Sequence, residues 1–434
     1  MTTKTLPFDR EKLEEIASVW PTPFYIYDRS AIEANARAFA EAFAWNPGYR
    51  EYFAVKATPN PEIISLFKPF GFGTDCSSLP ELELSAAAGF AGDRIMFTSN
   101  DTPAAEFRRA WELGAVVNLD DISHWSFLLD TLGAGTSFSG HTMCCRYNPG
   151  SRAVGNDIIG KPLEAKFGMT ENQLFECYAA MKRAGVESFG LHAMVASNEL
   201  DPGAIAATAE MLFTLAGELY AQTGVRVRFV NIGGGVGIPY RPGDKAIDVR
   251  DLSDRIRAAY ARRIEGGPLA PLALYMECGR CMTGPYGWLV SRVRHVKRTY
   301  RNYIGLDASM SNLMRPGMYG AYHHIEMLRR AAGSPAVDVF DVTGSLCENN
   351  DKFAVQRELP VPEPGDFAVV CDAGAHGHAM GFQYNGKLRS AELMLEPDGS
   401  VREIRRAETL GDYFATLPAE WRSRLGVPGE GKAG

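Results

Sequence analysis

Three positions that could carry chemistry each come at the end of a short apolar run, where a strand would end. Lys56 follows "YFAV", the glycines of "GGGVG" at 233–237 follow "VRFVNI", and Glu277 ends "LALYME". A lysine whose pKa is lowered by partial burial or by a neighbouring cation can form a Schiff base with an aldehyde. Backbone N–H groups of a glycine loop can bind a phosphate, and a carboxylate can keep a ring nitrogen protonated. Together the three indicate a site for pyridoxal phosphate.

Each of these positions also has a plainer interpretation. Lys56 alone could be a solvent-facing loop lysine, and "GGGVG" could be a tight turn between a strand and a helix. Glu277 could be a buried ion-pair partner of Arg280. The glycine loop is neither the dinucleotide G-x-G-x-x-G nor a Walker loop, because no Gly-Lys-Ser/Thr follows it. The joint placement of the three at strand ends favours the cofactor site.

The elements that must position these residues are repeated strand and helix units. Eight apolar runs alternate with helix-like segments through the first 280 residues: "EYFAV", "GFGTDC", "RIMFTS", "AVVNL", "HTMCCRY", "FGLHAMV", "VRFVNI" and "LALYME". Eight such units predict an α/β protein with a TIM-type (β/α)8 barrel, in which active sites form at the C-terminal ends of the strands.

The pattern of apolar residues changes after about residue 280. Long runs with alternating apolar residues and turn signals, such as "GWLVSRVRHVKRTY" and "AVDVFDVTGSL", predict an antiparallel sheet. "TPFYIYD" near the N-terminus is strand-like and is expected to join that sheet. We therefore predict a cofactor-binding barrel over residues 28–279 and a β-sheet domain from residues 1–27 and 280–434.

Composition excludes several classes of function. The 434 residues have a net charge of −7 and 46% hydrophobic content, which is typical of a globular protein with a large core. No basic stripe suggests nucleic acid as a partner, and no apolar run is long enough to span a membrane. The N-terminus has no apolar signal region, so we expect a cytoplasmic protein with a small ligand.

The eight cysteines are irregularly spaced, which argues against a disulfide framework. Two of them, Cys278 and Cys281, form a C-x-x-C. This pattern could be a redox dithiol or half of a zinc site, although no second C-x-x-C or H-x-x-x-H completes four ligands.

Several longer motifs carry a family resemblance over nearly the whole chain: "YFAVKATPN", "GFGTDCSSLPELELSAAAGF", "NIGGGVGIPY", "ECGR", "RPGMYGAYH", "GSLCENND" and "DAGAHGHAMGFQYNGKLRSAEL". These resemble the fold-type III pyridoxal-phosphate decarboxylases, which act on diaminopimelate, ornithine or arginine. Their order and spacing are most similar to diaminopimelate decarboxylase. The resemblance implies an alanine racemase-like fold, with a barrel and a C-terminal β-domain, and a homodimer with active sites at the subunit interface.

The resemblance also implies roles for individual residues. Lys56 and Cys347 are the expected catalytic residues, the first holding the cofactor and the second donating a proton. The expected cofactor-binding residues are Lys56, Asp75, Met194, Ser197, Gly234, Gly235, Glu277, Gly279, Arg280, His376 and Tyr384. The expected substrate-binding residues are Arg280, Arg315, Tyr319 and Glu348, the last reaching across the interface. No metal is expected. Without the motif, Cys347 could be an ordinary buried thiol and Arg315 a surface residue of a turn.

Three positions depart from the family pattern. Met194 stands where the family has a histidine that stacks on the cofactor ring, and His376 stands where it has a tyrosine near the phosphate. Cys278 replaces the usual proline of E-P-G-R. His376 and His378 form an H-x-H that could in principle face one metal ion.

The expected reaction is decarboxylation of meso-2,6-diaminopimelate to L-lysine and CO2. The distal end of this substrate carries a carboxylate, which Arg315 could bind as a fork, and an ammonium group, which Glu348 could bind. One alternative is a related decarboxylase of another amino acid or of a carboxylated polyamine, siderophore or antibiotic intermediate. A second is a non-catalytic pyridoxal-phosphate-binding protein.

Overall fold

The computed structural model describes residues 4–150, 163–331 and 336–427. These residues form two compact units, here named the sheet unit and the barrel unit. The sheet unit takes in the described parts of Met1–Ser30, Tyr240–Asp244 and Thr283–Gly434, and the barrel unit those of Ala31–Pro239 and Lys245–Met282. The domain boundaries at residues 28 and 279 stay a prediction from the sequence. Across the described ranges, no helix is long and apolar enough to cross a lipid bilayer.

The sheet unit contains the first two elements of the chain, helix α1 (Arg10–Val19) and strand β1 (Phe24–Asp28). Asp9 caps α1, because its carboxylate accepts the Lys12 N–H at 2.8 Å. Strand β1 is buried along nearly its whole length. The prediction that "TPFYIYD" joins the sheet is therefore confirmed, and β1 lies in the interior of that sheet.

Eight parallel strands close the barrel. They are β2 (Arg50–Ala54), β3 (Gly73–Cys76), β4 (Ile95–Ser99), β5 (Val116–Leu119), β6 (Thr142–Tyr147), β7 (Ser188–Ala193), β8 (Phe229–Asn231) and β9 (Ala273–Met276). Each strand pairs with the next along the chain, and β9 pairs with β2. The eight strands and the barrel predicted from the sequence are confirmed.

Helices alternate with these strands. They are α2 (Arg29–Ala42), α3 (Pro61–Ser65), α4 (Leu79–Ala87), α5 (Ala104–Glu112), α6 (Ser123–Leu132), α7 (Glu171–Arg183), α8 (Pro202–Thr223), α9 (Val249–Arg263) and α10 (Arg280–Thr283). Short polar caps set where they begin. Asp201 caps α8, which has a proline at its first position, and Asp248 caps α9.

The barrel interior is filled by large side chains that need small residues opposite them. A buried cluster inside the barrel consists of Tyr52, Met96, Val116, Cys144 and Phe229. Gly190 in β7 leaves room for the Phe229 ring, since a Cβ at Gly190 would lie 2.0 Å from its Cζ atom. Such close packing holds the strand ends, and hence the polar residues on them, in fixed positions.

The sheet unit contains the remaining elements. The strands are β10 (Gly287–Arg298), β11 (Asn302–Leu306), β12 (Ile325–Leu328), β13 (Val337–Thr343), β14 (Lys352–Pro360), β15 (Phe367–Val370), β16 (Ala391–Leu395) and β17 (Val401–Arg405). The helices are α11 (Arg315–Tyr319), α12 (Leu410–Phe414) and α13 (Ala419–Arg424). The main path through the sheet is β14-β13-β11-β10-β1-β16-β17, with β15 paired to β10 and β12 paired to β15.

This sheet is mixed, whereas the sequence predicted an antiparallel one. Strand β1 runs parallel to β16, and β11 runs parallel to β13. Alternation of apolar residues identifies which face of a strand is buried but not the direction of its neighbour. Both parallel pairs join strands that are far apart in the chain, which is the connection that parallel pairing requires.

Candidate active site

Lys56 lies just past the end of β2, in a single 3-10 turn at Val55–Ala57. Its Nζ atom lies 3.2 Å from Oδ2 of Asp75 on β3, and its side chain is 53% exposed. The strand register brings the two together, because Ala54 pairs with Asp75. The negative charge of Asp75 raises the pKa of Lys56 and outweighs the opposing effect of burial. Lys56 therefore lacks the lowered pKa that would favour Schiff-base formation, since the neighbouring group is a carboxylate and not a cation.

Other carboxylates also act on this lysine. Glu277 and Glu81 add to the effect of Asp75 in raising the pKa of Lys56. Burial, followed by the charge of Glu277, raises the pKa of Asp75 itself, while Lys56 opposes that rise. An aldehyde reacts with the neutral form of an amine. Aldehyde capture by Lys56 is therefore expected to become faster as the pH rises toward the pKa of Lys56.

Glu277 lies directly after β9 and is held by side chains from two neighbouring strands. Asn231 on β8 donates to its Oε1 atom at 2.6 Å, and Nε2 of His192 on β7 lies 3.1 Å from its Oε2 atom. Burial alone would raise the pKa of Glu277, but the charges of His192 and Lys56 and the hydrogen bonds outweigh it, so the pKa is lowered. Glu277 is thus an ionised carboxylate bound by His192 and Asn231, in place of the Arg280 ion pair that the plainer interpretation offered.

The glycine loop at 233–237 has no room for side chains. A Cβ atom on Gly234 would lie 2.4 Å from the Glu277 carbonyl oxygen, and one on Gly235 would lie 2.7 Å from the Ala196 carbonyl oxygen. Gly235 also has a φ of +97°, in the region that favours glycine. The backbone here approaches both neighbouring strand ends more closely than any other residue type would allow.

The same loop is a turn that is closed by two backbone hydrogen bonds to Glu199. The Glu199 N–H donates to the Gly235 carbonyl at 2.8 Å, and the Gly237 N–H donates to the Glu199 carbonyl at 2.7 Å. Among the described residues, the N–H groups of Gly235 and Val236 find no acceptor. Two adjacent N–H groups in a glycine turn are the kind of donor set that binds a phosphate.

Met194 follows β7 and contacts the glycine loop. Its Sδ atom lies 3.2 Å from the Gly234 nitrogen, which donates to it. A Cβ atom on Gly233 would come within 2.8 Å of this sulfur. Ser197 follows three residues later in the same segment. The thioether therefore lies between the end of β7 and the glycine loop, and it accepts one of the loop's N–H groups.

Gly279 allows the segment after β9 to approach the turn that carries Lys56. A Cβ atom on Gly279 would lie 2.7 Å from the Ala57 Cβ and 3.1 Å from the Ala54 Cβ. The Ala54 N–H also donates to the Cys278 carbonyl at 3.2 Å. Any larger residue at 279 would separate Lys56 from the segment that contains Glu277 and begins α10 at Arg280.

In the sheet unit, Cys347 and Glu348 lie beside Tyr384 and Asn385. The Cys347 N–H donates to Asn385 Oδ1 at 2.9 Å, and Asn385 Nδ2 donates to the Cys347 sulfur at 3.3 Å. The Tyr384 hydroxyl donates to Glu348 Oε1 at 3.3 Å. Cys347 is exposed and the other seven cysteines are buried. The interpretation of Cys347 as an ordinary buried thiol is therefore wrong.

Arg315 begins α11 and is only 7% exposed, so the interpretation of it as a surface turn residue is wrong. Its Nη1 atom lies 2.8 Å from both the Tyr240 hydroxyl and Nε2 of His323. Tyr319, at the other end of α11, is 63% exposed. The sheet unit thus contains a buried guanidinium group close in sequence to an exposed phenol.

His376 and His378 do not offer a joint metal site. His376 has a left-handed φ of +55°. His378 is buried, with Nε2 lying 3.0 Å from the Ser390 carbonyl oxygen and Nδ1 lying 3.1 Å from a nitrogen of Arg389. Because both ring nitrogens of His378 are engaged by the protein, the H-x-H pattern is a structural feature of this loop.

The C-x-x-C is equally unsuited to the chemistry that its spacing suggested. Cys278 and Cys281 are both buried free thiols. Interaction with Cys281, followed by burial, raises the pKa of Cys278 well above its ordinary value. A redox dithiol needs the opposite shift. Over the described ranges, no group of three or more metal-binding side chains converges.

Comparison with known proteins identifies the family. Residues 29–284 match the family described as pyridoxal-dependent decarboxylase, pyridoxal binding domain. The chain belongs to the pyridoxal-dependent decarboxylase family. It is 44% identical over 410 residues to Protein TabA of Pseudomonas amygdali pv. tabaci, covering 94% of both chains. It is 33% identical over 403 residues to the diaminopimelate decarboxylase of Methanothermobacter thermautotrophicus, covering 92% of both.

The structural comparison agrees with the family. The crystal structure of diaminopimelate decarboxylase from Helicobacter pylori complexed with L-lysine matches with a TM-score of 0.84 at 28% identity. The match covers 93% of this chain and 98% of that one. The fold-type III, alanine racemase-like architecture expected from the sequence is confirmed.

This pyridoxal-dependent decarboxylase is an enzyme that uses pyridoxal 5'-phosphate. The described residues of the barrel unit fit that cofactor. They supply a primary amine at Lys56, two adjacent loop donors at Gly235 and Val236, and an ionised carboxylate at Glu277. When bound, the cofactor supplies an electron sink that accepts the electron pair left on the substrate as CO2 departs.

Proposed function

We propose that the enzyme decarboxylates meso-2,6-diaminopimelate to L-lysine and CO2, as a cytoplasmic homodimer with its active sites at the subunit interface. The observation that carries the substrate assignment is the buried guanidinium group of Arg315 in the sheet unit. A buried arginine that can fork onto a carboxylate suits a substrate that has a second carboxylate. Similarity to enzymes named diaminopimelate decarboxylase over 92% of the chain supports the same assignment.

The barrel unit is proposed to hold the cofactor. Lys56 would attach it, Glu277 would keep its ring nitrogen protonated, and the glycine loop would donate to its phosphate. His192 and Asn231 would keep Glu277 oriented and charged. The further proposed cofactor contacts are Asp75, Met194, Ser197, Gly234, Gly235, Gly279, Arg280, His376 and Tyr384.

Cys347 is proposed as the proton donor. After CO2 leaves, the substrate α-carbon must gain a proton, and a thiol with an ordinary pKa near 8.5 is a suitable general acid. Exposure of this one thiol, with Asn385 bonded to its backbone and sulfur, supports the assignment. The neighbouring Glu348, held by Tyr384, is proposed to bind the distal ammonium group of the substrate.

Replacing Arg315 by alanine tests the substrate assignment. We expect the KM for meso-diaminopimelate to rise about 10- to 100-fold, because a charge-assisted hydrogen bond to the distal carboxylate is lost. L-Ornithine has no distal carboxylate, so its dissociation constant, read from the absorbance of the bound cofactor, should change less than about threefold. Tyr319 and Arg280 are proposed to contact the same substrate.

Arg298→Ala is the matched control for that experiment. Arg298 is an exposed arginine of the same unit, bonded to Asp338 at 2.9 Å. The control should leave both constants unchanged. If Arg315→Ala weakens the binding of ornithine as much as that of diaminopimelate, Arg315 does not bind the distal carboxylate. The substrate assignment then fails.

A second candidate function is decarboxylation of a different amino acid or of a carboxylated biosynthetic intermediate. The 44% identity to Protein TabA, a relative not named as a diaminopimelate decarboxylase, favours keeping this candidate. Met194 favours it too, because a thioether beside the cofactor ring cannot carry charge as the family's histidine does. The third alternative from the sequence, a non-catalytic binding protein, is not supported, since the family is one of decarboxylases.

A further inference from the structure

His323 lies beside the guanidinium group of Arg315 in the sheet unit and has no exposed surface. Its two ring nitrogens have different partners. Nδ1 lies 2.9 Å from the carbonyl oxygen of Cys371, and Nε2 lies 2.8 Å from Nη1 of Arg315. The imidazole therefore bridges the backbone that follows β15 and the arginine that begins α11.

The chemistry of these partners fixes the state of the ring. A carbonyl oxygen can only accept, so Nδ1 carries the hydrogen; a guanidinium group can only donate, so Nε2 presents its lone pair. His323 is thus a neutral imidazole of the Nδ1–H tautomer. It offers Arg315 an acceptor that brings no negative charge.

Tyr240 completes the same arrangement. Its hydroxyl oxygen accepts from the same Nη1 at 2.8 Å, and its ring meets the His323 ring edge-on at 5.0 Å. The guanidinium carbon lies 4.8 Å from the centre of the Tyr240 ring. The two hydrogens of Nη1 are thereby directed at two neutral acceptors, which sets the plane of the guanidinium group.

A neutral acceptor has a functional consequence that a carboxylate would not have. An aspartate or glutamate at either place would neutralise Arg315 and compete with any anionic ligand. Tyr240 and His323 orient the guanidinium group without adding a negative charge of their own. This is the arrangement needed by an arginine that must capture a carboxylate in a fixed geometry.

We propose that His323, assisted by Tyr240, is a positioning residue that orients Arg315 for the distal carboxylate of the substrate and so sets the preference for dicarboxylic amino acids. This inference rests on the proposed function, in which Arg315 binds that carboxylate. His323 itself touches neither substrate nor cofactor in this scheme. Its effect is therefore on substrate affinity rather than on the rate of the bond-breaking step.

The test compares four variants of the cofactor-loaded enzyme. His323→Leu removes the acceptor and should raise the KM for meso-diaminopimelate about 10- to 100-fold, with kcat changed less than about threefold. His323→Gln can donate to Cys371 and accept from Arg315, so its KM should stay within about fivefold of the wild type. Tyr240→Phe, which keeps the ring, should raise KM several-fold. His324→Gln, a neighbouring histidine bonded to Glu326, should change nothing.

Two comparisons separate this inference from the proposed function. In an Arg315→Ala background, His323→Leu should raise KM by less than about twofold more, since its effect passes through Arg315. An unchanged KM in His323→Leu, beside a raised KM in Arg315→Ala, would overturn the positioning role and leave the proposed function intact. If His323→Leu does not fold, an unchanged KM in Tyr240→Phe overturns it instead. An unchanged KM in Arg315→Ala would overturn both.

A measurement without substrate decides the histidine's state directly. Nitrogen-15 NMR of histidine-labelled protein, with the His323 signal assigned by its loss in His323→Gln, should show a neutral ring with an unprotonated Nε2. A protonated Nε2 would mean that His323 cannot accept from Arg315, and the inference would be wrong whatever the substrate.

Discussion

Lys56→Ala is expected to abolish the long-wavelength absorbance of the protein-bound cofactor and to lower turnover by about a thousandfold or more. Lys56, which follows β2, is the amine proposed to attach pyridoxal phosphate. In the described structure its Nζ atom forms an ion pair with Asp75 on β3. Without it, the cofactor can be held only by its phosphate and ring contacts. The absorbance spectrum and CO2 release of the purified variant check both parts.

Two controls make the Lys56 result specific. Lys56→Arg keeps a cation beside Asp75 but cannot form a Schiff base, so it should lose the same absorbance as Lys56→Ala. Lys68→Ala removes a surface lysine that donates to the Ala88 carbonyl, and it should behave as the wild type. Persistence of the absorbance band in Lys56→Ala would show that another amine attaches the cofactor.

Cys347→Ala should lower kcat by about 10²- to 10⁴-fold, the usual contribution of a general acid. The cofactor absorbance should be unchanged, because the proposed cofactor-holding residues of the barrel unit are intact. Cys347 differs from the other seven cysteines in being exposed, which fits a thiol that must reach substrate. Steady-state CO2 release and product analysis measure the effect.

Ser345→Ala is the matched control for the cysteine, since Ser345 is an exposed residue two positions earlier in the same loop. It should leave kcat unchanged. Cys347→Ser should be impaired nearly as much as the alanine variant, because a hydroxyl is a far weaker acid than a thiol. A Cys347→Ala variant with wild-type kcat would remove Cys347 from the proposed mechanism.

The barrel could be predicted because its eight strands are short apolar runs separated by helical periodicity, and every run became a strand. The location of Lys56 at a strand end could be predicted for the same reason. The direction of its pKa could not. That direction depends on Asp75, which reaches Lys56 through the pairing of Ala54 with Asp75 across two strands. The register in which two strands pair cannot be predicted from the sequence of either strand alone.

Residues that support the proposed site were harder to find than residues proposed to act in it. Asn231 holds Glu277 from 46 positions away, and Asn385 holds Cys347 from 38 positions away. Asn231 does lie near the end of a predicted strand, "VRFVNI", so its position was a usable signal. The bonds of Arg315 to Tyr240 and His323 join segments up to 75 residues apart, and nothing in the local sequence indicated them.

The mixed sheet shows a related limit. The sequence identified β1 as a strand from "TPFYIYD", and its buried residues Phe24 and Ile26 do pack with Trp288 of β10. The sequence did not reveal that β1 lies between β10 and β16, antiparallel to one and parallel to the other. Strand direction follows from how the chain returns to the sheet, which local patterns do not encode.

The most direct test of the account is CO2 release from the purified, cofactor-loaded enzyme with meso-diaminopimelate, L-ornithine, L-lysine and L-arginine supplied separately. The account predicts turnover with meso-diaminopimelate, L-lysine as the product, and far slower release from the three amino acids that lack a distal carboxylate. No release from meso-diaminopimelate, together with turnover of one of the others, would contradict the proposed substrate.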